Sequence, residues 1–325
     1  MRLSLPTTLL GSGLSETVTQ IRDRLEVTSQ EAVTGRYSDL TSHLSGRIGH
    51  AMLSQKALDD VANERTQLNL KASRLDIIQN ALDTVDSGVS NLGVRMITAM
   101  NSEDYTARET VVRDARAALT ESFSVLNTRL GERYLFSGDA TSTKPFGDPE
   151  TLLSDIRTIA ASATDAADFE TQLDAYFNTP GSGWQANVYA GTATASDPSG
   201  VTGMDPSIID IVSGLAVLSL SGSDETLAVL SGDSDAVRNA VDSLANGQAK
   251  LTDVRAERGI LQSQIAHAQT SLDLEETILT QTFNQMTARD QYEAASELQN
   301  LETSLEASYT LTARLSNLTL LNYIK

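Results

Sequence analysis

Apolar residues recur at alternating steps of three and four along both ends of this chain, and the pattern lapses only in its middle. Near the start, Leu14, Val18, Ile21, Leu25, Thr28 and Ala32 keep a 4-3-4-3-4 spacing. Leu58, Val61, Arg65, Leu68, Ala72, Leu75, Gln79 and Leu82 continue the alternation, and Leu119, Phe123, Leu126 and Leu130 carry it further. Beyond the middle it resumes with Val237, Val241, Leu244, Gln248 and Leu251, then with Leu261, Ile265, Ala268 and Leu272, and last with Leu298, Leu301 and Leu305. At 3.6 residues per turn, such spacing lays one apolar seam along one face of a helix. A seam needs a partner, so the predicted helices pair.

Proline and glycine mark where the pattern stops. After Pro6 the next prolines are Pro145, Pro149, Pro180, Pro198 and Pro206, and half of the 20 glycines lie between Gly138 and Gly232. Both residues break helices, so the chain divides into a helical arm, a turn-rich insert and a second helical arm. Residues 237–325 hold no proline, and one continuous helix over them would exceed about 100 Å at 1.5 Å per residue. A compact globule of this chain length has a radius of gyration of only about 20 Å. The arms therefore fold back on each other or build a rod.

The fold expected is mainly α: a long antiparallel helical, coiled-coil rod formed by both terminal arms, with a small mixed α/β insert domain. The boundaries read are 1–45 and 290–325 for the two parts of a terminal coiled-coil domain, 46–138 and 233–289 for the two rod arms, and 139–232 for the insert. Within the insert, Thr151–Ala161, Asp165–Phe177 and Ser207–Ser219 read as helices, the last with Pro206 near its first turn. Gly183–Gly191, with Trp184, Val188 and Tyr189 among polar residues, reads as a strand.

Charge and composition narrow the function. A net charge of −19 leaves no positive field for phosphates, which excludes a nucleic-acid partner, and it disfavours an anionic membrane surface. No segment approaches the roughly 20 apolar residues of a membrane span. With no cysteine, disulfides, thiolate metal sites and cysteine nucleophiles are excluded together. The opening residues lack the apolar run of a cleaved signal; a chain that leaves the cell by such a start uses a route that reads none.

The run Arg133-Tyr134-Leu135-Phe136-Ser137-Gly138, followed by Pro145-Phe146, reads physically as a helix ending, with an aromatic cluster, a glycine suited to a left-handed cap and a proline that prevents continuation. It also resembles the "YLFSG…PF" signature of the flagellar hook–filament junction proteins (hook-associated protein 3, the FlgL family) within the flagellin superfamily. Arg255-Ala-Glu-Arg-Gly259 ahead of Leu261 and Ile265 is similar to the return helix that junction proteins share with flagellins. The tail from Asp290 through Ala294, Leu298, Leu301 and Leu305 to Leu315, Leu318 and Leu321 resembles their common C-terminal segment. After the first helix these families carry a "TG…DDP" run; here Thr34-Gly35 is kept and the two aspartates and the proline are not.

The resemblance implies a structural subunit of the bacterial flagellum that joins hook to filament. Its implied assembly interface is Leu14, Val18, Ile21, Leu25, Leu298, Leu301, Leu305, Leu315, Leu318 and Leu321. The implied partners are other copies in a ring, the hook-side junction protein, flagellin and a flagellar export chaperone. Its implied location is the extracellular flagellum, reached by type III export. The alternative within the superfamily is a flagellin, the filament subunit itself.

A different class, a helical enzyme or ligand-binding bundle with chemistry around Trp184 and Tyr189, finds little support. Those rings read as the small core of the insert. His43, His50 and His267 read as surface histidines without a carboxylate at ligand spacing. Gly11-Ser-Gly13 and Gly181-Ser-Gly183 lack the lysine of a phosphate loop and read as flexible turns. Asp59-Asp60 and Glu275-Glu276 are adjacent on helices, so the members of each pair point apart. No catalytic, metal or cofactor site is expected.

Overall fold

A computed structural model describes the backbone of residues 7–222, 227–231 and 234–323, and the side chains of those residues apart from 7–12, 14 and 315–323. Contacts divide the chain into two compact units, one made of Thr66–Gln269 and the other of Met1–Arg65 with Thr270–Lys325. The fold is mainly α, as the seams require.

The Thr66–Gln269 unit contains parts of two long helices, α3 (Ile48–Val89) and α9 (Asp235–Thr287). Here they run antiparallel, since Asn69 meets Gln269, Asp76 meets Gln262 and Asp86 meets Gln248 at 2.7–3.0 Å. Between them in sequence come α4 (Leu92–Asn101), α5 (Tyr105–Leu126), α6 (Pro149–Ser162), α7 (Ala166–Asn178) and α8 (Pro206–Leu220). Four of these start on an aspartate whose carboxylate accepts a first-turn amide: Asp104, Asp148, Asp165 and Asp205. Asp148 and Asp205 each precede a proline, which needs no amide partner at the first helical position. Helix α8 is apolar all round, and every residue from Ser207 to Leu220 except Asp210 is buried. It packs against α5 and forms the middle of one continuous core with the seams of α3, α5 and α9.

Two expectations fail in this unit. The helix ends at Leu126, twelve residues before Gly138. A two-residue hairpin follows, β1 (Arg129–Leu130) paired antiparallel with β2 (Arg133–Tyr134), turning at Gly131, whose φ is +62°. The cause lies at Asn127, whose side-chain amide bonds both the N–H (2.9 Å) and the carbonyl (3.0 Å) of Phe146. Leu130 therefore belongs to a strand and not to the helical seam. Gly138 does take the left-handed region, φ +63°, but in a loop; a Cβ there would lie 2.3 Å from Thr192 Oγ1.

The second correction concerns Gly183–Gly191. Trp184–Val188 forms a single π-helical turn, and only Tyr189 bridges to another segment, at Phe146. Ring burial decides the conformation. Trp184 is fully buried, with ring centroids of Phe177 at 5.2 Å, Phe146 at 6.0 Å, Tyr189 at 6.2 Å and Phe123 at 6.4 Å. A strand would send Trp184 and Tyr189 to opposite faces or lengthen their separation; the wide turn brings both into one cluster.

In the other unit, α1 (Thr7–Thr34) packs along α10 (Gln291–Tyr323). Their order is antiparallel: Arg22 meets Tyr309, Arg24 meets Glu297 and Glu31 meets Arg289. Gly13 lies inside α1, so the Gly11-Ser-Gly13 turn is a correction as well. A short helix, α2 (Leu40–Leu44), is capped by Asp39, whose carboxylate accepts the Ser42 N–H and hydroxyl. Arg65, a polar member of the α3 seam, reaches out to Asp273 at 2.9 Å and Glu276 at 2.8 Å on α9.

Candidate assembly surface

The α1–α10 pair contains the residues that the sequence marked as an interface. Val18, Ile21 and Leu25 are half-buried, and Thr28, next in the series, is buried. On α10, Ala294 and Leu301 are buried and Leu298 and Leu305 half-buried. One chain thus already covers much of this seam with its own opposite end. Leu14, Leu315, Leu318 and Leu321 lie on the paired helices, with side chains outside the described residues.

What remains for a partner is a set of apolar side chains that the seam does not use. Val27 and Val33 on α1, Met52 and Leu53 on α3, Leu274 and Ile278 on α9, and Tyr292 and Leu311 on α10 are all exposed. Val33 stands 80% open and Tyr292 85%. Sequence periodicity passed over these positions because they fall off the seam. Scattered exposed apolar residues are ordinary on a soluble protein; here they recur on all four long helices of one unit.

At the junction of α9 and α10 the chain leaves the helix at Ala288–Asp290, and α1 ends close by at Thr34. Gly35, at φ +67°, turns the chain so that its amide caps the helix on Glu31 O at 2.8 Å. The two breaks then pair as a single antiparallel bridge, Arg36 to Ala288. Tyr37 N–H donates to Thr287 O at 3.1 Å and Arg289 N–H to Gly35 O at 2.9 Å.

Four charges lie beside this bridge in alternating sign. Arg24 bonds Glu297 Oε1 at 2.6 Å, Glu297 Oε2 accepts from Arg289, and Arg289 pairs with Oε2 of buried Glu31. The bond from Arg24 holds the Glu297 carboxyl below its usual range; partial burial opposes this, and Arg289 adds to it. Arg289 also lies over the Tyr37 ring, 5.5 Å from its centroid, and Tyr37 stacks on His43 at 3.6 Å. His43, read from sequence as a solvated histidine, is thus half-buried in a stack. His50 and His267 are exposed. Among the described residues no group of three or more metal-ligating side chains converges, and no helix is long and apolar enough to cross a membrane.

The signature residues lie elsewhere, in the core of the Thr66–Gln269 unit. Arg133 and Tyr134 form β2; Leu135, Phe136, Ser137, Pro145 and Phe146 are buried. Tyr189 donates its hydroxyl towards Phe136 O (3.0 Å) and Thr192 O (2.9 Å). Burial pushes that phenol up to about 12. Pro145 O accepts from Ala190 N–H at 2.8 Å. These residues build the entry to the insert and hold it against α5. Arg255 and Arg258 act similarly on α9: Arg255 pairs with Asp83 (2.6 Å) and Asp86 (3.2 Å) on α3, while Arg258 donates to Gly200 O at 3.0 Å.

A mainly α chain whose two ends close on each other as an antiparallel pair is the class of protein that these observations define. Residues 239–324 match the family described as the bacterial flagellin C-terminal helical region. No curated protein matches the chain in sequence. Among solved structures, the crystal structure of Bacillus cereus FlgL is similar with a TM-score of 0.45 and 12% identity, over 72% of this chain and 97% of that one. The structure of a putative flagellar hook-associated protein from Vibrio parahaemolyticus is similar with a TM-score of 0.49 and 12% identity, over 75% of this chain and 99% of that one.

Proposed function

We propose that the chain is a structural subunit of the bacterial flagellum that joins hook to filament, assembling through its terminal helices and catalysing no reaction. The observation that carries this reading is the C-terminal arm, matched by the flagellin family, closing on α1 while exposed apolar side chains remain on the same unit. Helices in proteins owe most of their stability to the packing of an apolar face. Each large apolar side chain newly covered contributes about 1.5–3 kcal/mol, so further copies add to what one pair holds. The partners in this reading are other copies in a ring, the hook-side junction protein, flagellin and an export chaperone. The signature run favours the junction subunit over the filament subunit.

The deciding experiment is assembly. Purified protein added to isolated hooks should bind in limited number and then accept flagellin. Growth into long filaments on seeding would select flagellin instead. Failure to bind hooks or flagellin at all would remove the reading.

A further inference from the structure

The charge relay at the double break has a stoichiometry that suits control by protons. Arg24 and Glu31 are seven residues apart on α1 and so share a face. Their partners, Glu297 and Arg289, come from the other end of the chain. Each carboxylate spends both oxygens on donors. Glu31 accepts from Ser38 N–H (2.7 Å) through Oε1 and from Arg289 through Oε2. Glu297 accepts from Arg24 through Oε1 and from Arg289 through Oε2. An ionised carboxylate accepts from both donors as an anion; once protonated it keeps lone pairs but loses the charge that makes those bonds strong. One proton therefore weakens two charge-assisted bonds at once. With both carboxylates neutral, two guanidiniums remain without counter-charge, and Arg289 is nearly buried.

We propose that this relay is a proton-operated latch: ionised, it holds the 35–38 turn and the 288–290 break together, and protonation of Glu31 and Glu297 releases the bridge between them. The remaining charged or titratable neighbours are few. Arg36 bonds Asn284 at 3.2 Å, Asp290 accepts from the Tyr292 N–H of α10 at 2.8 Å, Asp39 caps α2, and His43 stacks on Tyr37. None supplies a second acceptor to Arg289 among the described contacts. The direction is set at Glu297: a carboxyl held below its usual range stabilises the closed form at neutral pH, and that contribution is lost as pH falls through its folded value. The latch does not depend on the assembly reading, because every bond in it lies within one chain.

Hydrogen exchange on the full chain tests it, with rates corrected for the intrinsic effect of pH. Between pH 7 and pH 3, protection of the 35–38 segment should fall at least tenfold while that of α8 is unchanged. Glu31→Gln should show the low protection already at pH 7, with a smaller further fall. Arg24→Gln, at the exposed end of the relay, should keep the bridge at pH 7 and move its release to higher pH, since Glu297 then loses its first partner. Equal protection of 35–38 at both pH values overturns the latch. So does a parallel loss in α8, which would be general acid unfolding. If Glu31→Gln unfolds the whole unit, Arg24→Gln decides: an unmoved midpoint rejects the proposal.

Discussion

Replacing Phe146 by alanine tests whether the signature run works through packing. Its ring is fully buried and contacts Phe123 (5.5 Å between centroids), Tyr189 (5.4 Å) and Trp184 (6.0 Å). Truncating such a ring costs about 3–5 kcal/mol, from lost transfer energy and from the cavity left behind. The neighbours are themselves locked: Tyr189 by its hydroxyl bonds, Trp184 by Nε1–H donating to Gly203 O at 3.2 Å. Collapse into the cavity is therefore limited, and the upper part of the range is expected. In a unit of about 200 residues, each kcal/mol lowers Tm by about 2–4 °C, so the drop should be about 10 °C. The chain's single tryptophan lies in this cluster, so its fluorescence reports the transition directly. Phe146→Leu should recover more than half of the loss. A drop of less than about 2 °C in the alanine variant would refute the packing argument and return the run to some role outside the fold.

Gly138→Ala should cost about 1–3 kcal/mol from its left-handed backbone, and more from the approach of Thr192 and Thr194; urea unfolding measures it. Arg108→Met should cost about 2–5 kcal/mol, because the Arg108 guanidinium donates to the buried carbonyls of Ser221 (2.7 Å) and Leu230 (2.9 Å), which the variant leaves without it. Leu301→Asp puts a carboxylate into the α1–α10 seam and should lower helical circular dichroism while the Trp184 transition stays in place; on the assembly reading it also fails to support a filament. At Asp197 burial raises the carboxyl, but bonds from Ser199 and the charges of Arg74 and Lys71 outweigh it and leave the carboxyl below its usual value. Its contribution is thus present above about pH 4 and lost below, so Asp197→Asn should flatten the acid limb of the Trp184 melting profile.

How far the sequence could be read depended on the range of the interaction. Seam positions such as Leu75, Leu82, Leu119, Phe123, Leu244 and Leu251 are buried where the 3-4 spacing put them, because helical periodicity is local. The helix start at Pro206 was legible for the same reason, whereas the one at Asp148-Pro149 was read two residues late, at Thr151. The hairpin at 129–134 was not: two-residue strands leave no alternation, and Asn127 fixes them through a partner nineteen positions away. Trp184, Val188 and Tyr189 stand among polar residues as in a short strand, yet the aromatic cluster imposes a wider turn. In the α1–α10 unit the apolar seam was visible, and with matching seams at both ends so was the antiparallel pairing of α1 with the chain's own tail. The pairing of Glu31 with Arg289 spans most of the chain and leaves no mark in either neighbourhood, apart from the heptad step between Arg24 and Glu31.

The burial of α8 on every side has a consequence for how the chain acquires its structure. Its covering comes from α5, more than eighty residues earlier, and from α9, where Gly214 lies close to Ala240 and Leu244. Contacts so distant in sequence make folding slow, and synthesis delivers the last of them late. At about 5–20 residues per second, the fifteen residues of α8 wait a second or more for α9 to emerge. Until then an almost wholly apolar helix has only the cover of α5, α6 and α7, and whatever attends the nascent chain meets its α9 side first.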